Sequence, residues 1–219
     1  MTAPVRTDQP AAEAYMQECM ADSAHDREHV YRILRYALTI AAQERGADRE
    51  LLTVACLLHD IGRAEQFADP RVDHAHCGAE KARAWLRGNG YSDAFAQAVH
   101  ACVLTHRYRS DAPPQSLEAK ILFDADKLDV CGAMGVARTL FYIAQVAGPL
   151  YSLREDGTVS GGDGDREHSF FREYKYKLES VYGRFYTAHG TALAAKRKAA
   201  AQAFYEALLA EAEECYGSE

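Results

Sequence analysis

Residues Leu51-Leu52-Thr53-Val54-Ala55-Cys56-Leu57-Leu58 are apolar almost all the way round a helix, and the two residues that follow are His59-Asp60. A helix with no polar face has to lie among other helices. Asp48 is placed to cap its start, and Gly62 marks its end. The chain must therefore surround this segment with apolar surface. It must also find a use for an imidazole and a carboxylate delivered to the end of its most buried helix, because an uncompensated buried charge is very costly.

The rest of the sequence supplies helical surface. Between Asp26 and Gly46, the residues Val30, Ile33, Leu34, Ala37, Leu38 and Ala41 recur at three- and four-residue spacing. Further helices are expected over 12–22, 74–87, from a Ser92 cap to about His106, from a Ser116 cap to about Asp129, and over 132–147. Residues 63–73, which include Asp69-Pro70, read as a polar connection. The segment 149–167 contains Gly157, Gly161, Gly162 and Gly164 and reads as a flexible loop or lid. It lacks the GxxxxGK[ST] pattern of a phosphate-binding loop. Two more helices fill 168–187 and 190–215. No strand-forming alternation and no internal repeat is present. The expected fold is all-α: a helical bundle over 1–148, the loop 149–167, and a C-terminal helical hairpin over 168–219 packed on the bundle.

Composition narrows the partners. Apolar residues form 48% of the 219, enough for a sizeable core. A net charge of -7 and a pI of about 5.7 argue against a long nucleic acid, which needs a basic stripe. They leave room for a small anionic substrate, because a metal ion and a few basic side chains can reverse the sign inside one pocket. None of the six cysteines has CxxC spacing, the first twenty residues carry no apolar signal core, and no apolar stretch approaches the ~20 residues that span a membrane. These features point to a reduced, cytoplasmic setting without a membrane partner, and leave monomer or homo-oligomer open.

Seven of the nine histidines fall between residues 25 and 106. His29 continues the apolar row of Ile33 and Ile40. Asp126 lies one turn beyond Leu122 in Ile121-Leu122-Phe123-Asp124-Ala125-Asp126-Lys127-Leu128-Asp129. His29, His59, Asp60 and Asp126 would thus arrive from three buried helices. One divalent ion, or two, would offset the cost of burying them, and mixed nitrogen and oxygen donors suit Mn, Fe, Co, Ni or Zn better than Ca. Taken singly, each residue has an ordinary explanation: a hydrogen-bonded core histidine, a chance HD doublet, a solvated acidic face.

The order of these residues resembles the H…HD…D signature of the HD-domain metal-dependent phosphohydrolase superfamily. The contexts His25-Asp26-Arg27-Glu28-His29-Val30-Tyr31-Arg32, Ala55-Cys56-Leu57-Leu58-His59-Asp60-Ile61-Gly62 and Lys120 to Asp129 are similar to a branch of small bacterial HD hydrolases that includes nucleoside triphosphate pyrophosphohydrolases. The resemblance covers 20–145 firmly and the C-terminal hairpin more weakly, around His168 to Leu178 and at Arg197. It implies an HD-domain helical bundle, metal ligands at His29, His59, Asp60 and Asp126, a divalent ion (Mn, Fe, Co, Ni, Zn or Mg), and water attack on a nucleotide phosphate.

In two-metal relatives, two further histidines precede the final Asp. His76 and His106 fit that interval, as ligands, as substrate contacts, as hydrogen-bonding neighbours of a ligand, or as plain structure. His74 and His100 read as surface or local hydrogen-bonding residues. Glu65 is a candidate for positioning the water, although such relatives carry the acid where this chain has Arg63; a surface glutamate is the alternative. His25, Arg63, Lys127, Lys177 and Arg197 are candidates for binding substrate, and Lys120, Arg138 and Lys175 follow behind them. Competing activities are a phosphomonoesterase or phosphodiesterase acting on nucleotides or alarmones, a di-iron oxygenase of the same fold, and a non-catalytic nucleotide sensor.

Overall fold

A computed structural model describes residues 9–20, 27–107 and 113–216. Among these the chain is helical, and its one β-bridge joins Leu153 to Val159. It forms two compact units, Met1–Asp126 and Lys127–Glu219.

The first unit is built round the apolar segment. Helix α1 spans Pro10–Cys19, α2 Arg27–Ala41 and α3 Arg49–Leu58. Every residue of α3 from Leu51 to Leu58 is buried. Asp48 caps it by accepting from the Leu51 amide at 3.0 Å. Helix α2 turns His29, Val30, Ile33, Leu34, Ala37 and Ile40 inward and packs on α3. Helices α4 (Arg63–Ala68), α5 (His74–Gly88), α6 (Asp93–Leu104) and α7 (Leu117–Leu128) follow, and α7 crosses into the second unit. Ser92 and Ser116 cap α6 and α7, accepting from the amides of Phe95 and Ala119.

Helix α4 occupies what the sequence presents as a polar connection. It is only six residues long and has no buried residue, so there is no apolar row to announce it. Asp69-Pro70 marks its end. At the same place the backbones of two segments nearly touch. A Cβ on Gly62 would collide with the His74 carbonyl and come within 2.7 Å of the Gly78 nitrogen. This close approach fixes the start of α5 against the turn that follows His59-Asp60.

The second unit contains α8 (Gly132–Gln145), α9 (Phe170–Glu173), a π-helical turn at Tyr174–Leu178 and the long α10 (Ala188–Glu214). Its core gathers Phe170, Phe171, Tyr174, Leu178, Ala201 and Tyr205. The glycine-rich segment expected to be flexible is tied into this unit. Val159 and Ser160 are buried, Tyr205 donates to the Gly161 carbonyl at 2.7 Å, and Gly162, at φ +94°, presses on the Phe171 backbone. Its glycines serve close approach and a left-handed turn.

Candidate metal centre

Two trios of donors meet at the end of α3. His29, His59 and Asp126 form one; Asp60, His74 and His106 form the other, and within each trio the donor atoms lie within 4.8 Å of one another. Asp60 connects them. Its Oδ2 is 3.7 Å from His29 Nε2 and 3.6 Å from His59 Nε2. Its Oδ1 is 3.5 Å from His74 Nε2 and 3.6 Å from His106 Nε2. His29 Nε2 is also 3.4 Å from Asp126 Oδ1. Two donors about 2.1 Å from one ion at tetrahedral angles would be roughly 3.4 Å apart, so these spacings suit coordination.

Three of the four rings are aimed by their other nitrogen. His59 Nδ1 donates to the Cys56 carbonyl at 2.7 Å, His106 Nδ1 to the Val103 carbonyl at 2.6 Å, and His74 Nδ1 to Gln66 Oε1 at 2.7 Å. A proton on Nδ1 leaves the Nε2 lone pair facing the carboxylates. His59 Nε2 and His74 Nε2 are buried and make no hydrogen bond. Burial disfavours their cationic forms, lowering the His59 pKa to about 4 and that of His74 to about 2. Burial opposes the charge on Asp60 too, but the Arg63 guanidinium beside it outweighs burial and holds its carboxyl well below the usual range. Neutral imidazoles around ionised carboxylates are the protonation state a divalent cation requires, and the two buried nitrogens without a hydrogen bond are what such an ion would satisfy.

The other candidate residues are distributed unevenly. Arg63 lies at the centre, with Nε donating to Asp60 Oδ1 at 3.0 Å. His106 joins the second trio. His76 does not: it is exposed, on the polar row of α5 with Glu80, Arg83 and Arg87, and its amide donates to the capping residue Asp73. The buried histidine of α5 is His74, two residues earlier. Helical spacing carries the signal that separates them, since His74 heads the buried row of Gly78, Ala82 and Leu86. Gln66, which no motif marks, was invisible in the sequence. Glu65 is held by Lys81 Nζ at 2.6 Å. His100 pairs with Glu80 at 2.9 Å. His25 lies outside the described residues.

In the second unit, Lys127 is buried in the last turn of α7 and Lys177 is exposed in the π-helical turn. Arg197 donates through Nη1 to the Leu128 carbonyl at 2.6 Å, where a cation also complements the C-terminal end of α7. Arg138 pairs with the fully buried Asp129 at 3.1 Å, and Lys175 with Glu179.

Comparison with known proteins identifies the arrangement. The HD domain family matches residues 27–131, which contain all six donors.

Residues 27–131 are an HD domain.

A predicted HD superfamily hydrolase from an uncultured Thermotogales bacterium is 28% identical, with 92% of this chain and 91% of that one covered and a TM-score of 0.62. A protein from Lactobacillus plantarum is 25% identical, with coverage of 95% and 98% and a TM-score of 0.72. YpgQ of Bacillus subtilis is 27% identical over 139 residues, 63% of this chain and 67% of YpgQ. Its crystal structure in complex with ADP superposes with a TM-score of 0.71, at 21% identity and coverage of 92% and 93%. The HD domain over residues 27–131 and a neighbour described as a predicted HD-superfamily hydrolase support a phosphohydrolase enzyme.

Proposed function

We propose that this protein is a metal-dependent nucleotide phosphohydrolase with two divalent ions, acting as a nucleoside triphosphate pyrophosphohydrolase. The observation that carries the reading is Asp60, whose two oxygens face different pairs of histidines, Oδ2 toward His29 and His59 and Oδ1 toward His74 and His106. One ion would be held by His29, His59, Asp60 and Asp126, the other by Asp60, His74 and His106. Bound ions of this kind lower the pKa of a coordinated water from ~15.7 toward ~7 and polarise a phosphoryl oxygen.

The chain's own residues do the rest. Asp60 stays ionised because the Arg63 guanidinium lies against it. Arg63 uses Nε on Asp60 and Nη1 on Gln66, and its side chain is a third exposed, leaving N–H donors for a phosphate oxygen. Lys127, next in the chain to Asp126, serves as a further phosphate contact in this reading. The nucleotide is favoured by the ADP bound to YpgQ.

The same six donors would also suit two irons and oxygen chemistry, so the test must separate the two. Purified protein loaded with Mn, Co, Ni, Mg or Fe is offered a panel of nucleoside mono-, di- and triphosphates, and pyrophosphate is resolved from orthophosphate. Release of pyrophosphate from triphosphates is expected. No turnover of any nucleotide would remove the proposal, and two irons per chain with oxygen uptake would replace it.

A further inference from the structure

The three histidines with assigned Nδ1 partners are not held in the same way. His59 and His106 donate to main-chain carbonyls three residues back, Cys56 at 2.7 Å and Val103 at 2.6 Å, which no side-chain substitution removes. His74, the first residue of α5, donates instead to a side chain, Gln66 Oε1 at 2.7 Å. That oxygen lies 3.5 Å from Arg63 Nη1. Arg63 Nε in turn donates at 3.0 Å to Asp60 Oδ1, the oxygen that His74 Nε2 faces at 3.5 Å. Gln66, His74, Asp60 and Arg63 therefore close a ring.

The ring fixes a choice that the carboxamide alone would leave free. Turning the Gln66 amide over would point its NH₂ at a guanidinium and at an imidazole N–H, so Arg63 holds the oxygen in place. With an acceptor at Nδ1, His74 carries its proton there and presents a lone pair at Nε2. Without that acceptor, the neutral ring does better with the proton on Nε2, donating to Asp60 Oδ1, and an ion cannot bind a protonated nitrogen.

We infer that Gln66 is a positioning residue that sets the tautomer of His74, and thereby determines whether Asp60, His74 and His106 can hold an ion. The second half of this inference rests on the two-ion reading above.

Long-range ¹H–¹⁵N spectra of the metal-free protein report which nitrogen of each imidazole carries the proton, and Mn or Co titration counts the ions. The wild type should show His74 protonated at Nδ1 and two binding steps. Gln66→Leu should move the His74 proton to Nε2, leave His59 and His106 unchanged, and weaken one binding step roughly 10- to 100-fold. Gln66→Glu, which keeps an acceptor, should retain the wild-type tautomer and both steps. A His74 tautomer that is unchanged in Gln66→Leu overturns the inference, as does unchanged affinity beside two wild-type steps. A single wild-type step together with a shifted tautomer overturns the two-ion reading and the ion-binding half, and upholds the control of His74 by Gln66.

Discussion

The contact between Gly62 and α5 can be tested by adding one methyl group. Gly62 has φ -94° and ψ 4°, which alanine adopts without strain, so the effect of Gly62→Ala comes from space alone. The new Cβ would collide with the His74 carbonyl and lie 2.7 Å from the Gly78 nitrogen, whereas ordinary contact begins at 3.4 Å. The first turns of α5 must retreat by at least about 0.7 Å, and His74 moves with them, away from an Asp60 only two residues before the substitution. Overpacking of this kind costs about 1–3 kcal/mol. At about 2–4 °C per kcal/mol for a chain of this size, the Tm should fall by roughly 2–12 °C. Metal–ligand distances tolerate only about ±0.2 Å, so the His74 trio should lose its ion, with a loss of turnover on the order of 10²-fold. Gly78→Ala is the matched control. Its Cβ would sit 3.3 Å from the Gly62 nitrogen, a contact relieved by a small shift, and alanine in a helix interior gains about 0.5–1 kcal/mol over glycine. Differential scanning calorimetry and metal analysis of both variants decide the matter. Equal behaviour of the two, or a Gly62→Ala protein with wild-type Tm and metal content, would sink the steric argument.

Further outcomes are expected elsewhere. His74→Ala should reduce the metal bound per chain as measured by plasma emission, while the exposed His76→Ala should leave it within about twofold of wild type. In chelator-treated protein, acid should destabilise the fold. His59 titrates near 6.5 when unfolded and near 4 when folded, so between those values the unfolded chain binds more protons, and stability present above pH 6.5 is lost as pH falls. His59 alone corresponds to about 2 kcal/mol between pH 7.5 and 5, and a urea midpoint that does not move would contradict it. Arg197→Ala removes a charged donor from the Leu128 carbonyl, so calorimetry should show a loss of about 1–3 kcal/mol.

Much of the architecture was legible because it depends on local patterns. Leu51–Leu58 announced a buried helix, and the caps Asp48, Ser92 and Ser116 lie where the hydrogen-bonding logic of helix starts puts them. Helix α4 was not legible, because six residues with no buried face leave no periodicity. The C-terminal region read as a plain helix over 168–187, but the chain runs through a short α-helix, a π-helical turn and a 3₁₀ turn at Val181–Gly183. That change in winding follows the packing of Tyr174 against Tyr205, 31 positions away, their rings stacked at 4.1 Å. The HD doublet, His29, Asp126 and His106 stood out by position and order. His74 was passed over in favour of His76, because residue type was weighed without the rotation of α5. Gln66 had no motif to betray it; its part comes from a contact across eight residues and two helices.

The shared carboxylate has an electrostatic consequence. As metal ligands, four imidazoles would add no charge and two carboxylates only two negative charges. Two divalent ions in that cradle would leave an excess of about two positive charges inside a chain whose net charge is -7. The loaded centre would then be an anion receptor in its own right. A phosphate that neutralises it would tighten the hold on the ions, and the ions would tighten the hold on the phosphate by the same factor. Cofactor loading and substrate capture become one linked equilibrium, governed by how little negative charge the protein itself provides.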